Sequence, residues 1–536
     1  MPQTRSSGGH SRSGFVRSAS LMGSLTMVSR VLGYVRDSMN AALFGAGWVA
    51  DAYFVAFRIP NLLRDLVGEG ALSAALVPTL SKTLAKKGGG EANRLSSAML
   101  TIVAVGGLVF IAAGIILAPA VVSVLAPGFR ADPGKFALTV SLTRWLLPFI
   151  VFISLAAVVM GFLNAHQRFG PPAFAPVALN ICIILSAVAI VPFFGDKPET
   201  QIYGWTIGVL LGGLAQWLVQ MPAVRGLGFR YEPRLRNPGV GEVGRLMAPA
   251  LAGYSVAQVH LLVNTILASL LGSGSVAYLY YGNRLMQLPL GVFGVALSTV
   301  ALPLVSRAFA SGRPAHASRP LNHALALASF TVLPASAGLI ALAGPINGLL
   351  FRYGRFDSAD AAVTASVSIA YAIGIIGHAL IRVLTPAFYA AGKPSIPVRV
   401  MIVSVAANAL LSVVLMTRLG VVGLPLATSL VALVSAGWLG WKLAPLVPGL
   451  GGRIMASSII RSLVASVLMG GVVWVLAGRA DEWLAVSGYG GKMAEAIITG
   501  GGMVAGFGLF VLLAWVLKIP ELGDFIGMIK RRVVKR

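Results

Sequence analysis

Residues 24–81 are apolar enough to enter a bilayer twice, yet they carry Arg30, Arg36, Arg58 and Arg64 beside Asp37, Asp51, Asp65 and Glu69. A charge at mid-bilayer costs about 2.5–3.5 kcal/mol on insertion scales. Such side chains must therefore face a wet cavity walled by protein. A guanidinium stays charged and offers a rigid fork of donors that matches phosphate oxygens two at a time. The chemistry these residues could do is the binding of an anionic cargo.

Their spacing is helical. Ser29, Gly33, Arg36 and Asn40 fall on one stripe, with Arg30 and Asp37 beside it and Leu25, Val28, Leu32 and Val35 opposite. Asp51, Arg58 and Asp65 form a heptad line, and Asn61, Arg64 and Gly68 form a second line next to it. Arg284, Gln287, Gly291, Gly294 and Ser298 repeat the pattern further on. Two readings stay open. In one, Arg30, Arg36, Arg64 and Arg284 line a cavity between two halves of the molecule. In the other, the arginines pair with Asp37, Asp51, Asp65 and Glu69 and hold helices together. The second weighs most for Arg58, which Asp51 and Asp65 bracket. Gly68-Glu69-Gly70 should weaken the second helix and mark either a bend or close packing.

The elements that must position these residues follow from composition. The chain has 536 residues, 57% hydrophobic and 11% charged, with mean hydropathy +0.84. At about 20 residues per span this is an all-α polytopic membrane protein with about 14 transmembrane helices. The net charge of +25 sits mainly at the ends of apolar spans and so does not call for nucleic acid. A single cysteine, Cys182, excludes an internal disulfide and a cysteine metal cluster. No Walker sequence, H-E-x-x-H pair or nucleophile triad appears, so no cofactor and no enzymatic activity are expected.

An internal repeat organises the spans. Ala71-Leu72-Ser73 through Pro78 and Ser81 returns as Ala296-Leu297-Ser298 through Pro303 and Ser306, and Arg58-Ile59 returns as Arg284-Leu285. The loop PGF at 127–129 echoes YGRF at 353–356. Two parallel six-helix copies with a central cavity, plus two extra helices, account for the pattern. The expected layout is a disordered cytoplasmic tail at 1–19, an N-terminal lobe at 20–223 and a cytoplasmic linker at 224–245. A C-terminal lobe at 246–441 follows, then two helices at 442–517 and a basic amphipathic tail at 518–536 whose apolar face would lie on the inner leaflet. Most Lys and Arg fall on one side when both termini are cytoplasmic, which sets the orientation.

SRVLGYVRD (29–37), DAYFVAFRIPNLLR (51–64), EGALSAALVPTLS (69–81) and YYGNRLMQLPLGVFGVALSTVALPLVS (280–306) resemble the MurJ/MviN family. That family belongs to the multidrug/oligosaccharidyl-lipid/polysaccharide exporter superfamily. The resemblance runs from about residue 20 to 517. It implies a lipid II flippase of the bacterial inner membrane. Its cargo would be an undecaprenyl-pyrophosphate-linked peptidoglycan precursor, with membrane lipids around it and cell-wall synthesis enzymes as candidate partners. By matched motif, the family's cavity arginines correspond to Arg30, Arg36, Arg64 and Arg284, and Ser29, Asp51 and Asn61 to neighbouring cavity positions. Asn283, Gln287 and Ala277 depart from the usual pattern around Arg284. Some members resemble sodium-dependent carriers. The positions matching such a metal site are Asn264, Asn408, Ser412 and Thr428, none of them acidic, which argues against a sodium site. A coupling ion or the membrane potential would then drive the cycle. The two helices at 442–517 would wall a groove for the lipid tail. The rival readings are a carrier of another polyprenyl-linked glycan, a drug exporter of the same superfamily, and a scaffold for cell-wall enzymes that transports nothing.

Overall fold

The computed structural model describes the backbone of residues 9–65, 71–487, 491–524 and 526–527, and the side chains of these except 9–20, 250, 252–257, 292–302 and 485. The described residues contain no β-strand. Nine helical stretches among them are long and apolar enough to cross a membrane. The expected bend at Gly68-Glu69-Gly70 and the basic terminal stretch 530–536 lie outside the described residues.

By packing, the chain forms two compact units. The first holds residues up to Gly274 together with Tyr353–Arg355; the second holds Ser275–Arg352 and everything from Phe356 on.

The first unit opens with α1, Gly9–Phe44. This helix starts well before the expected residue 20, so residues 9–19 of the expected disordered tail are helical. Residues 9–19 contain no proline, and extending an existing helix adds one hydrogen bond per residue without a new nucleus. Then come α2 (Trp48–Leu63) and α3 (Leu72–Leu125). α3 is broken at Gly88, whose φ of +78° and ψ of 179° are open to glycine at little cost. Its residues 72–87 therefore continue the second expected span, and its remainder is the third. α4 (Pro133–Ala165) begins on Asp132, whose carboxylate accepts from Lys135 N at 3.0 Å, with proline at the first helical position. α5 (Gly170–Ala189), α6 (Pro198–Leu218) and α7 (Met221–Arg225) follow. α8, Pro238–Ser269, is capped by Asn237, which accepts from Gly239 N at 2.9 Å. Half of the expected linker is thus helix. The cap and Pro238 supply a start signal well before the hydropathy rises.

The second unit holds α9 (Ser275–Ala310), α10 (Ser318–Ala341), α11 (Ala343–Phe351), α12 (Ser358–Ile373) and α13 (Ile375–Ala390). α14 (Ser395–Leu419), α15 (Gly423–Leu443), α16 (Arg453–Val486) and α17 (Lys492–Val516) complete it. Two expected single spans are each two helices here, split at Leu342 and at Gly374. At the second split the Ser429 hydroxyl donates to the Ala370 carbonyl at 2.6 Å, so α15 satisfies backbone near the break. Past α17, Ile519 and Leu522 are buried, Glu521 accepts from Ser458, and Arg461 donates to the carbonyls of Leu517 and Lys518. Of the C-terminal tail's apolar face, Ile519 and Leu522 thus meet protein while Ile526 is exposed, and Phe525 and Ile529 lie outside the described residues.

The repeat has a direct structural counterpart within the first unit. Each echoed loop docks on the C-terminal end of the other copy's first helix. Gly128 of PGF lies so close to the end of α8 that an added Cβ would sit 2.0 Å from the Ser269 carbonyl oxygen. Gly354 of YGRF lies against the end of α1, where a Cβ would sit 2.3 Å from the Ala42 carbonyl oxygen. Arg355 N donates to that same Ala42 oxygen at 2.9 Å, and Gly128 N donates to Ser269 Oγ at 3.3 Å. This docking places α8 with the first unit, although its sequence begins the second copy.

Candidate functional site

α1 presents its polar stripe to α5. Arg36 donates through Nε and Nη2 to Asp37 Oδ1, at 3.0 and 2.7 Å, and through Nη1 to Asn180 Oδ1 at 3.1 Å. Asn180 Nδ2 in turn donates to the Ser29 carbonyl at 3.0 Å and approaches Ser29 Oγ at 3.4 Å. The Arg36 side chain keeps 13% exposure. Ser29, Asn180, Arg36 and Asp37 therefore form one network that fixes the guanidinium in direction, and Asp37 offsets part of its charge.

Arg30, beside this stripe, is half-buried and makes no hydrogen bond or ion pair among the described residues. Its donor fork is held at a membrane helix with nothing among the described residues neutralising it. Arg64, just past α2, donates to Asp65 Oδ1 from Nε and Nη2 at 3.2 and 3.0 Å, with both side chains about a quarter exposed. Asn61, one turn before, is half-buried.

Asp51 is placed differently from the cavity position expected. It is 1% exposed, and its Oδ2 accepts from Lys135 Nζ at 2.7 Å and from Gly274 N at 2.8 Å. Lys135 Nζ also stands 4.0 Å over the Phe129 ring, inside the PGF loop. Asp51 thus ties α2, α4, the PGF loop and the turn after α8 into one buried node. The two carboxylates that bracket Arg58 in sequence are engaged by Lys135 and Arg64. Arg58 itself is half-buried.

In the second unit, Arg284 is half-buried in α9, and Gln287 is exposed and donates to Asn283 Oδ1 at 2.7 Å. Arg382 Nη1 donates to the Leu290 carbonyl at 3.3 Å, which joins α13 to α9. Of the candidate sodium positions, Asn408 and Ser412 are fully buried in α14, and Thr428 of α15 donates to Asn408 Oδ1 at 3.1 Å. Asn264 belongs to the first unit and is buried there. A hard cation wants several free oxygens and usually a carboxylate. Here the Asn408 oxygen already accepts a protein hydrogen bond and no acid is present, so these residues do not fit a cation site.

Pattern reading passed over Lys135 and Asn180, the partners of Asp51 and Arg36. Asn180 had a signal, a lone amide in the apolar run PVALNICIIL. Lys135 had none, because its partner lies 84 residues earlier.

The family model described as lipid II flippase MurJ matches residues 40–489. A lipid II flippase MurJ of Burkholderia cenocepacia is 38% identical over 75% of this chain and 78% of its own length. A probable lipid II flippase MurJ of Rhizobium meliloti is 33% identical over 97% of this chain and 96% of its own. Among solved structures, a lipid II flippase MurJ in an inward closed conformation superposes with TM-score 0.76 at 24% identity, covering 92% of this chain and 98% of that one. An inward-facing multidrug transporter of the MATE family and MOP superfamily follows at TM-score 0.66 and 14% identity, covering 80% and 98%. The all-helical membrane fold is thus shared with transporters, and the sequence match over most of its length makes this chain a member of the MurJ family of lipid II flippases, a family of transporters rather than enzymes.

Proposed function

We propose that this protein flips lipid II across the bacterial cytoplasmic membrane by alternating access, with its pyrophosphate held by Arg30, Arg36 and Arg64. The observation that carries the reading is Arg30, a half-buried guanidinium with no counter-ion among the described residues. Leaving it so in a membrane is costly unless an anion arrives to fill the fork. Arg36, aimed by Asn180 and half-neutralised by Asp37, supplies a second fork whose direction is set before the cargo binds. Such preorganisation lowers the ordering cost of binding. Arg284, on the repeat position of Arg58, is a further cation of the same kind.

The headgroup enters from the inner leaflet and leaves at the outer one, while the polyprenyl chain stays in lipid and against the last two helices. Both termini are cytoplasmic, by the distribution of Lys and Arg. No step runs through a bound cation. An uncompensated positive site feels the membrane potential, which is worth about 2.3 kcal/mol per charge per 100 mV, and this resets the empty carrier.

Complementation tests the reading. Cells depleted of their own lipid II flippase receive the wild type, Arg30→Ala, Arg30→Lys, Arg36→Ala, Arg64→Ala or Arg284→Ala at matched membrane levels, and lipid II in the outer leaflet is measured. The wild type rescues, the alanine variants fail, and Arg30→Lys rescues partially because charge survives without the fork. Rescue by every arginine variant would make these residues structural. Failure of a well-inserted wild type, with growth restored only by a different polyprenyl-linked glycan pathway, would reassign the cargo.

A further inference from the structure

Between α7 and α8 the chain runs without helix from residue 229 to 237 and lies along α3, inside the first unit. Glu232 N donates to Ser97 Oγ at 3.2 Å, and Arg234 N donates to Thr101 Oγ1 at 3.3 Å. The Thr101 proton goes to the Ser97 carbonyl at 2.8 Å, so the Tyr231 hydroxyl donates to Thr101 Oγ1 at 2.9 Å. Asn237 Nδ2 donates to Glu91 Oε1 at 3.2 Å. The strap thus follows α3 from Thr101 back to Glu91, about 15 Å of helix at 1.5 Å per residue.

This strap is held differently from the packed helices around it. Residues 230–236 are all exposed, and Phe229, edge-on to Phe162 at 5.2 Å, is only half-buried. A segment with few buried apolar contacts and exposed hydrogen bonds lies at the low end of local opening free energies. Under Phe229 and Tyr231 there is a cavity of about 340 Å³, floored by Val158, Val159 and Phe162 of α4. The two rings are therefore not close-packed on their inner side, and leaving forfeits less dispersion than leaving a full interior. Undocking also strands little. Thr101 keeps its own bond to the Ser97 carbonyl, and the N–H groups of Glu232 and Arg234 pass to water. Gly228, at φ +73°, supplies a pivot at the start of the strap.

We propose that residues 229–236 are a latch that lifts off α3 and re-docks in each transport cycle, which rests on the alternating-access reading above. Docked, the strap fastens the start of α8 beside α3, together with the Lys82–Glu242 ion pair at 2.7 Å. Lifted, it leaves that ion pair and the Asn237–Glu91 bond to hold the start of α8, and the helix that begins the second copy is loosened from α3.

Two measurements on the full chain test the latch, both with Cys182→Ala as background. The first reads lifting directly and does not depend on the cargo. Ser97, fully buried beneath the strap, is changed to cysteine, and Ser97→Cys is offered a water-soluble maleimide in proteoliposomes. It reacts, and Tyr231→Phe, at an exposed position, speeds the reaction about fivefold, the equivalent of one hydrogen bond. Ala98→Cys, equally buried in α3, stays unreactive and controls for opening of the helix itself. The second measurement locks the strap. The bond from Glu232 N to Ser97 Oγ brings Ser97→Cys and Glu232→Cys within reach of a short bifunctional methanethiosulfonate. The locked protein loses lipid II transport, and reductant restores it. An inert Ser97→Cys, a rate unchanged by Tyr231→Phe, equal labelling of Ala98→Cys, or full transport by the locked protein overturns the proposal. A wild type whose strap lifts but which moves no lipid II overturns the flippase reading instead.

Discussion

Arg30 and Arg36 lie on one helix within two turns of each other, yet they are handled in opposite ways. Arg36 is clamped by Asp37 and Asn180, and Arg30 meets no protein partner among the described residues. Asn180→Leu should therefore leave the helix in place but release the Arg36 fork. Transport by matched levels of that variant should fall, while its thermal midpoint shifts little; an unchanged transport rate would mean that the aim of Arg36 is irrelevant. Asp51 and Lys135 belong to stability instead. Breaking a buried pair from one side costs about 3–5 kcal/mol, because a lone charge remains buried. Lys135→Met should thus lower the thermal midpoint sharply, and Asp51→Asn with Lys135→Met should recover part of the loss. A double variant as unstable as the sum of its singles would rule out coupling. At the surface, Lys82 donates to Glu242 at 2.7 Å, and this hydrogen bond together with the Lys82 charge lowers the Glu242 carboxyl below its usual range. A depressed carboxylate stabilises the fold above its unfolded pKa, about 4.3, and loses that contribution as pH falls through its folded value. Wild type and Glu242→Gln should thus differ in stability by a small constant amount from pH 5 to 8 and converge in stronger acid.

At the scale of elements, the two docked loops are the clearest case of sequence echo becoming geometry. Gly128 and Gly354 are each pressed against a helix-end carbonyl, so no side chain fits at either position. Gly128→Ala and Gly354→Ala should each destabilise the protein by about 1–3 kcal/mol, the usual range for forcing atoms into a full space. Equal tolerance of alanine at both sites would show that the loops do not dock as described. The helices themselves were largely legible in the sequence. Apolar stretches of spanning length gave their positions, and Asp132, Asn237 and Asp357 with nearby prolines or acids mark true starts. The splits at Leu342 and Gly374 were not legible, since hydropathy is blind to a single residue leaving helical geometry inside an apolar run.

For the whole molecule, the net charge of +25 is spread over loops and helix ends, and its asymmetry predicts which side of the membrane each loop faces. With Cys182→Ala as background, a cysteine at exposed position 197 should react with a membrane-impermeant maleimide added to spheroplasts. A cysteine at exposed position 230 should react only after lysis. The reverse pattern would invert the topology. The sequence by itself determined the solvent, because mean hydropathy and span length leave no other home for such a chain. It also determined the two-fold repeat and the arginine stripes, because helical periodicity is local and survives without coordinates. Tertiary structure alone decided what each charge meets. Asp51 finds Lys135 across 84 residues, Asn180 reaches Arg36 across 144, and Arg30 finds no partner among the described residues. Such partners are set by which helices pack together, and no spacing along one helix encodes them.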